Sequence, residues 1–250
     1  ERAARYTEAA EAWARLAARV GADDREDALG HEAYCLLAAN QLVEGYARLR
    51  EVAGFVRKGP ASRLVRLGAG LRFLLGGRWL PPDHGPALTV TSPDLAALQR
   101  RRARRELQLG MLLGYFDLLD GIRLLLCARR RFARLADWEA LAGCDFLFAQ
   151  FAHAGSAEAR EPAVARRYQA RAERLLARVP EPDLVQRLMQ RFLDGLTAMR
   201  TGRWDEAETT MTRVRDEWEA AGGEGTFEQL YVQLHLGWLA AGRQRLEAFD

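Results

Sequence analysis

Lysine is almost missing from this chain. Of 37 basic residues, Lys58 is the one lysine and the rest are arginine. An arginine bias with abundant alanine is what a GC-rich genome produces. A pI near 9 and a net charge of +3 are therefore weak support for a nucleic-acid or membrane partner. Cysteine is also scarce. Cys35, Cys127 and Cys144 are far apart, each sits in an apolar helical stretch, and no CxxC pair exists. That excludes a disulfide framework and points to buried thiols in a reducing, cytoplasmic setting. The four histidines, His31, His84, His153 and His235, have no partner at metal-ligand spacing. His31-Glu32 lacks the second histidine of a zincin. The longest apolar runs, such as Leu124 to Ala128, fall far short of a membrane span, and no signal peptide is visible.

What is present is ordinary globular material: 250 residues, 49% apolar and 28% charged, enough for one large domain or a run of repeats. The chain opens at Glu1 inside a helical pattern and ends directly after another, so it reads as a segment of a longer protein. Apolar residues recur at three- and four-residue spacing along most of it. The pattern predicts helices over about 1–19, 24–39, 42–57, 61–76, 93–113, 116–129, 131–153, 160–178, 183–200, 203–220 and 226–241, with a twelfth starting at 243. Asp23 or Asp24 is placed to cap the second helix, and Ser92 before Pro93 to cap the fifth. Residues 77–93 hold Pro81-Pro82, Pro86 and several glycines. They read as an irregular connection between a first repeat group, 1–76, and a second, 94–250. Ala87 to Thr91 is the one short β-like stretch.

Three turns look alike. Tyr6-Thr7-Glu8-Ala9, Leu42-Val43-Glu44-Gly45 and Trp204-Asp205-Glu206-Ala207 each open with a large residue and close on Glu and a small one. Four positions on lie Trp13, Leu49 and Met211, and seven on Leu16, Val52 and Val214. The small residue lets a neighbouring helix approach, and the large ones follow on the same face. A hairpin built this way leaves an apolar face that only stacking covers. The pattern resembles the tetratricopeptide repeat, whose second helix opens with Gly-X-aromatic and Glu-Ala, as Gly202 to Ala207 does. Gly195, seven residues earlier, falls where that family also places a glycine. Asp194 departs from its preferred Leu, and residues 60–190 match the repeat poorly. The expected fold is all-α, a right-handed α-solenoid of stacked helical hairpins spanning 1–250.

The order of features is also similar to the C-terminal helical region of large bacterial serine/threonine protein kinases that carry an AAA-type ATPase module. The similar features are Glu44-Gly-Tyr-Ala-Arg-Leu-Arg-Glu-Val52, an Arg-rich helix leading to Gly70-Leu-Arg-Phe73, the proline-containing break, Asp120-Gly-Ile-Arg123 with Leu124-Leu-Leu-Cys-Ala128, and Gly202-Arg-Trp204. That family usually has Pro where this chain has Gly121. The resemblance implies a non-catalytic protein-interaction and regulatory region in signal transduction. Its partner would be a protein or peptide, including the kinase and ATPase modules of its own chain, held in a groove formed by the first helices of successive pairs. The kinase loop, His-Arg-Asp, Asp-Phe-Gly and GxxxxGK signatures are all missing here, so catalytic residues would lie outside this chain. No catalytic, cofactor-binding or metal-binding residue is expected, and no cofactor.

One local anomaly remains. Arg100, Arg101, Arg104 and Arg105 form a basic patch, and Arg129, Arg130, Arg131 and Arg134 a second group. Either they meet an anionic partner or they are a helix face balanced by nearby carboxylates. No aromatic interleaves with the first cluster, which argues against single-stranded nucleic acid. The alternative function, a sensor or oligomerisation arm of an ATPase-type transcription regulator, would use these arginines. Trp13, Trp204, Trp218 and Trp238 are expected mostly in the core, at helix-packing positions, and secondarily as the lining of a ligand groove.

Overall fold

Asn40, Ala136 and Gly202 share one backbone conformation, with φ of 63°, 52° and 77°. Each ends a helix in the same way. The next residue's N–H reaches back five positions, from Gln41 to Leu36 (2.9 Å), from Asp137 to Phe132 (3.1 Å) and from Arg203 to Ala198 (2.9 Å). The positive-φ residue's own N–H reaches back three. This is the Schellman ending, and it satisfies the last carbonyls of the helix. One residue further on, at Leu42, Trp138 and Trp204, a new helix begins.

In this computed structural model, residues 2–54, 61–75, 92–154, 162–222 and 227–247 are described. They are all-helical. The helices are α1 (Arg2–Ala17), α2 (Ala22–Ala38), α3 (Leu42–Gly54), α4 (Ala61–Leu74), α5 (Pro93–Gly114), α6 (Leu118–Arg134), α7 (Trp138–Ala154), α8 (Ala163–Leu176), α9 (Leu184–Arg200), α10 (Trp204–Ala220) and α11 (Phe227–Glu247). No strand occurs among the described residues. The β-like stretch 87–91 and all but the last residues of the connection 77–93 lie outside them.

Two boundaries differ from the sequence reading. The helix expected over 131–153 does not start at 131. Arg129 to Arg134 belong to α6, and the break falls at 135–137, where the Asp137 carboxylate accepts from the Ala140 N–H at 3.3 Å and caps α7. The expected twelfth helix is the end of α11, which runs unbroken to Glu247. Gly242 does not interrupt it, because it is a packing position: a Cβ there would lie 3.5 Å from the Trp204 ring. The cap of α2 also differs. Gly21 holds that place, with no side-chain cap, and the Asp24 carboxylate turns to Arg101 instead. Ser92 does stand at the N-cap of α5 with Pro93 following, but its hydroxyl makes no capping bond.

The chain divides into two compact units, Glu1–Cys144 and Asp145–Asp250. In the first, α1 packs on α2, α2 on α3 and α5 on α6, while α4 also lies against α6. Its tightest crossing is glycine on glycine. A Cβ at Gly121 would fall 2.4 Å from Gly114 Cα and 2.7 Å from Gly110 O, so the α5 and α6 backbones touch with no side chain between them. Arg66 of α4 reaches the first turn of α6, 2.5 Å from Asp117 and 3.5 Å from Asp120. In the second unit α8 packs on α9, α9 on α10 and α10 on α11. Its core includes Phe148, Tyr168, Leu175, Phe192, Leu193 and Met211.

Candidate functional site

The basic patch on α5 is spent largely inside the molecule. Arg101 forks between Asp24 and Asp27. Arg105 reaches Glu26 and Asp27, and Arg100 lies 3.5 Å from Asp137. Burial opposes ionisation of Asp27, but the Arg105 and Arg101 guanidiniums hold its carboxyl below the usual range. Arg104 is exposed and makes no ion pair among the described residues. The second group is divided too. Arg129 is buried, Arg131 pairs with Glu106 at 2.9 Å and with Gln99, and Arg130 and Arg134 are exposed. Two of the four patch arginines thus fasten α5 to the acidic start of α2.

The repeat positions are places of close helix approach. A Cβ at Gly45 would fall 2.8 Å from the Leu37 side chain, and one at Gly195 2.9 Å from Met211 Cγ. Ala207 is fully buried, and Gly202 forms the Schellman turn. Ala9, on α1, is half-buried. Leu49, Val52, Met211 and Val214 are buried behind these small residues, whereas Leu16 is exposed. The tryptophans correct the sequence reading, for none of the four named is fully buried. Trp13 stacks on His31, ring centroids 4.5 Å apart. Trp204 packs by Gly242, Trp218 is half-buried, and Trp238 is 55% exposed. Trp13 and Trp204 thus cover a neighbouring helix without entering the core.

A polar cleft of about 470 Å³ opens on the same hairpin. Gln169 of α8 lines it, together with Arg191, Asp194 and Thr197 of α9. Arg203 at the turn and Glu206, Thr209, Thr210 and Arg213 of α10 complete it. Gln169 donates from Nε2 to Asp194 at 2.8 Å and to Glu173 at 3.1 Å. Its Oε1 is buried without a hydrogen-bond partner, and so is Thr197 Oγ1. Arg191 pairs with Glu217 and Arg203 with Glu206. Arg213 is exposed and makes no ion pair among the described residues. Two of the residues lining the cleft, Gln169 and Thr197, thus carry buried polar atoms without a partner, and Arg213 stands in its lining as an exposed cation. An exposed guanidinium is a group that holds a carboxylate.

Other polar groups of the second unit are inside it. Asp145 is fully buried and takes both oxygens to Arg171, at 2.6 Å each. The Arg171 guanidinium lies 4.9 Å from the centroid of Tyr168. His153 is 2% exposed, and neither ring nitrogen has a partner. Burial first, then the charges of Arg200 and His235, push its pKa down to about 4. His235 is lowered as well, mainly by burial, although its Nδ1 lies 2.9 Å from Tyr231 O.

No group of three or more His, Cys, Asp or Glu suited to a metal occurs among the described residues. The three cysteines are free. Burial pushes the Cys35 and Cys127 thiols above their ordinary pKa, the reverse of what activates a nucleophile. No described helix is long and apolar enough to cross a membrane. No family model, curated protein or solved structure matches the chain.

Sequence reasoning missed the Ala136 turn. The signal was there: Ala136-Asp137-Trp138-Glu139 runs parallel to Gly202-Arg203-Trp204-Asp205, with Ala in place of Gly. It also missed the cleft, because Gln169 is brought to α9 and α10 by packing.

Proposed function

We propose that the chain is a non-catalytic, repeat-like helical region that binds an extended protein segment in the α8–α9–α10 cleft. In this reading it is the regulatory tail of a bacterial serine/threonine kinase with an ATPase module, and the segment comes from those modules. The observation that carries the binding reading is the polar cleft of about 470 Å³ with the exposed Arg213 in its lining, a cation in no ion pair among the described residues. The kinase setting is supported by the order of features from Glu44 to Trp204. The stacking of hairpins into a right-handed solenoid belongs to the same proposal, supported by the repeated Schellman turns and small-residue crossings.

The transcription-regulator alternative needs free arginines on α5. Arg101 and Arg105 are both held by α2 carboxylates, which removes its main support. The test is to mix the purified chain with the kinase and ATPase segments of its own gene product and measure binding by titration calorimetry. Saturable binding that weakens at least about tenfold in Arg213→Glu is expected. A gene product without a kinase domain, or binding indifferent to Arg213, refutes the proposal.

A further inference from the structure

The α8–α9–α10 cleft carries more positive charge than its own carboxylates use. On α9, Arg191 and Asp194 line it. Arg187 stands one turn before Arg191 and two before Asp194, so it continues the same face of the helix. Every carboxylate of α9 and α10 is engaged. Asp194 accepts from Gln169 at 2.8 Å. Asp205 and Glu208 go to Arg243, Glu206 to Arg203, Asp216 to Arg215 and Glu217 to Arg191, and Glu219 accepts from Gln229. Arg187 and Arg213 are both exposed, and neither makes an ion pair among the described residues.

The register of the hairpin sets the spacing of these two cations. Gly195 packs on Met211 and Arg191 pairs with Glu217. Arg213, between those two residues of α10, therefore stands level with Asp194. Arg187 is seven residues from that level, about 10 Å along the α9 axis at about 1.5 Å per residue. A segment in the polyproline II form advances about 3.1 Å per residue with three residues per turn, so its positions i and i+3 face one way, about 9 Å apart. A β-strand repeats a face every two residues, at about 7 and about 13 Å, and fits less closely.

We propose that the segment this cleft binds is acidic and carries two carboxylates three residues apart, one meeting Arg213 and the other Arg187. This rests on the cleft reading and gives the partner its chemistry. Between the two arginines lies the Arg191–Glu217 pair, which is neutral as a unit and lets the middle of the segment pass. A nucleic-acid strand is the wrong partner. It is charged at every residue, and the lining also holds Asp194 and Glu206, which a continuous polyanion would have to face. A peptide with spaced carboxylates avoids them, so the carboxylates of the lining act as the repulsive part of the recognition.

Fluorescence anisotropy on the 250-residue chain tests it. The probe is fluorescein-Gly-Ser-Glu-Pro-Pro-Glu-Ser-Gly, whose prolines favour the polyproline II form. It should bind at least about tenfold more tightly than the same peptide with Gln for both Glu, and than one with its glutamates adjacent, as Pro-Glu-Glu-Pro. Arg187→Glu and Arg213→Glu should each weaken it about tenfold, with helical circular dichroism unchanged because both side chains are exposed. The double variant Arg187→Glu/Arg213→Glu should instead prefer the peptide carrying Arg-Pro-Pro-Arg, a reversal that a merely structural effect would not produce. No saturable binding of the glutamate peptide up to about 1 mM overturns the inference. Equal binding of the Gln peptide, binding indifferent to Arg187, or tighter binding of a short single-stranded DNA overturns it as well. If the kinase and ATPase segments of the calorimetric test bind through Arg213 and ignore Arg187, the cleft reading stands and this inference alone falls.

Discussion

Acid should loosen the second unit before it touches most of the protein, and His153 should be the main cause. The ring is 2% exposed, with neither nitrogen bonded, and its pKa is lowered to about 4 from the ordinary 6.5. A histidine whose folded pKa is depressed is neutral in the fold and charges readily once unfolded. Its contribution is fully present above pH 6.5 and is lost as pH falls from 6.5 toward 4. At about 1.4 kcal/mol per pKa unit, the loss is about 1 kcal/mol near pH 5.5 and about 3 kcal/mol near pH 4. His153→Leu removes the titrating group while leaving the Arg200 contact, since Arg200 donates to the His153 backbone carbonyl. Urea unfolding followed by far-UV circular dichroism at about pH 7.5 and about pH 5.5 measures the effect. The variant should be as stable as wild type at the higher pH and should lose about 1 kcal/mol less on acidification. His235, lowered in the same direction, sets the slope that remains. A variant that keeps the full wild-type pH dependence would refute the assignment to His153.

Further substitutions test the packing, the turn and the buried ion pair. Gly121→Ala drives a Cβ to 2.4 Å from backbone and should cost about 3 kcal/mol or more in a thermal melt. Gly195→Ala, whose Cβ meets side chains only, Met211 at 2.9 Å and Thr210 at 3.6 Å, should cost clearly less than Gly121→Ala. Ala136→Gly should stabilise by up to about 1 kcal/mol in urea unfolding, because φ of 52° strains alanine and suits glycine. Asp145→Asn leaves Arg171 without its charge partner and should cost about 3–5 kcal/mol. Asp145→Leu/Arg171→Leu should recover most of that loss.

Much of the helical architecture was legible because periodicity and breakers are local. Asn40, Gly202 and Pro93 announced their turns, and α3, α9 and α10 begin within a residue of where the pattern put them. Ala136 gave no such notice, since alanine is the best helix former, so the α6–α7 break was set five residues too early. What the sequence could not reveal was which partner each face meets. The leucines of α4 look like a buried stripe, yet Ala69, Gly70 and Phe73 make the contact, because glycine and alanine let α6 come closer. The partners of the α5 arginines were not legible because those carboxylates, Asp24, Glu26 and Asp27, stand more than 70 residues earlier. The Gly121 N–H bonds Asp117 O at 2.9 Å and its missing Cβ admits Gly114, so proline at this position would break both contacts.

The most direct measurement of the central claim is hydrogen exchange of the chain, alone and with the kinase and ATPase segments that the proposal places in its gene product. Slowed exchange around Gln169, Thr197 and Thr209–Arg213, abolished by Arg213→Glu, is the predicted outcome. Protection elsewhere that ignores Arg213, or ATP hydrolysis by the chain on its own, would contradict the account.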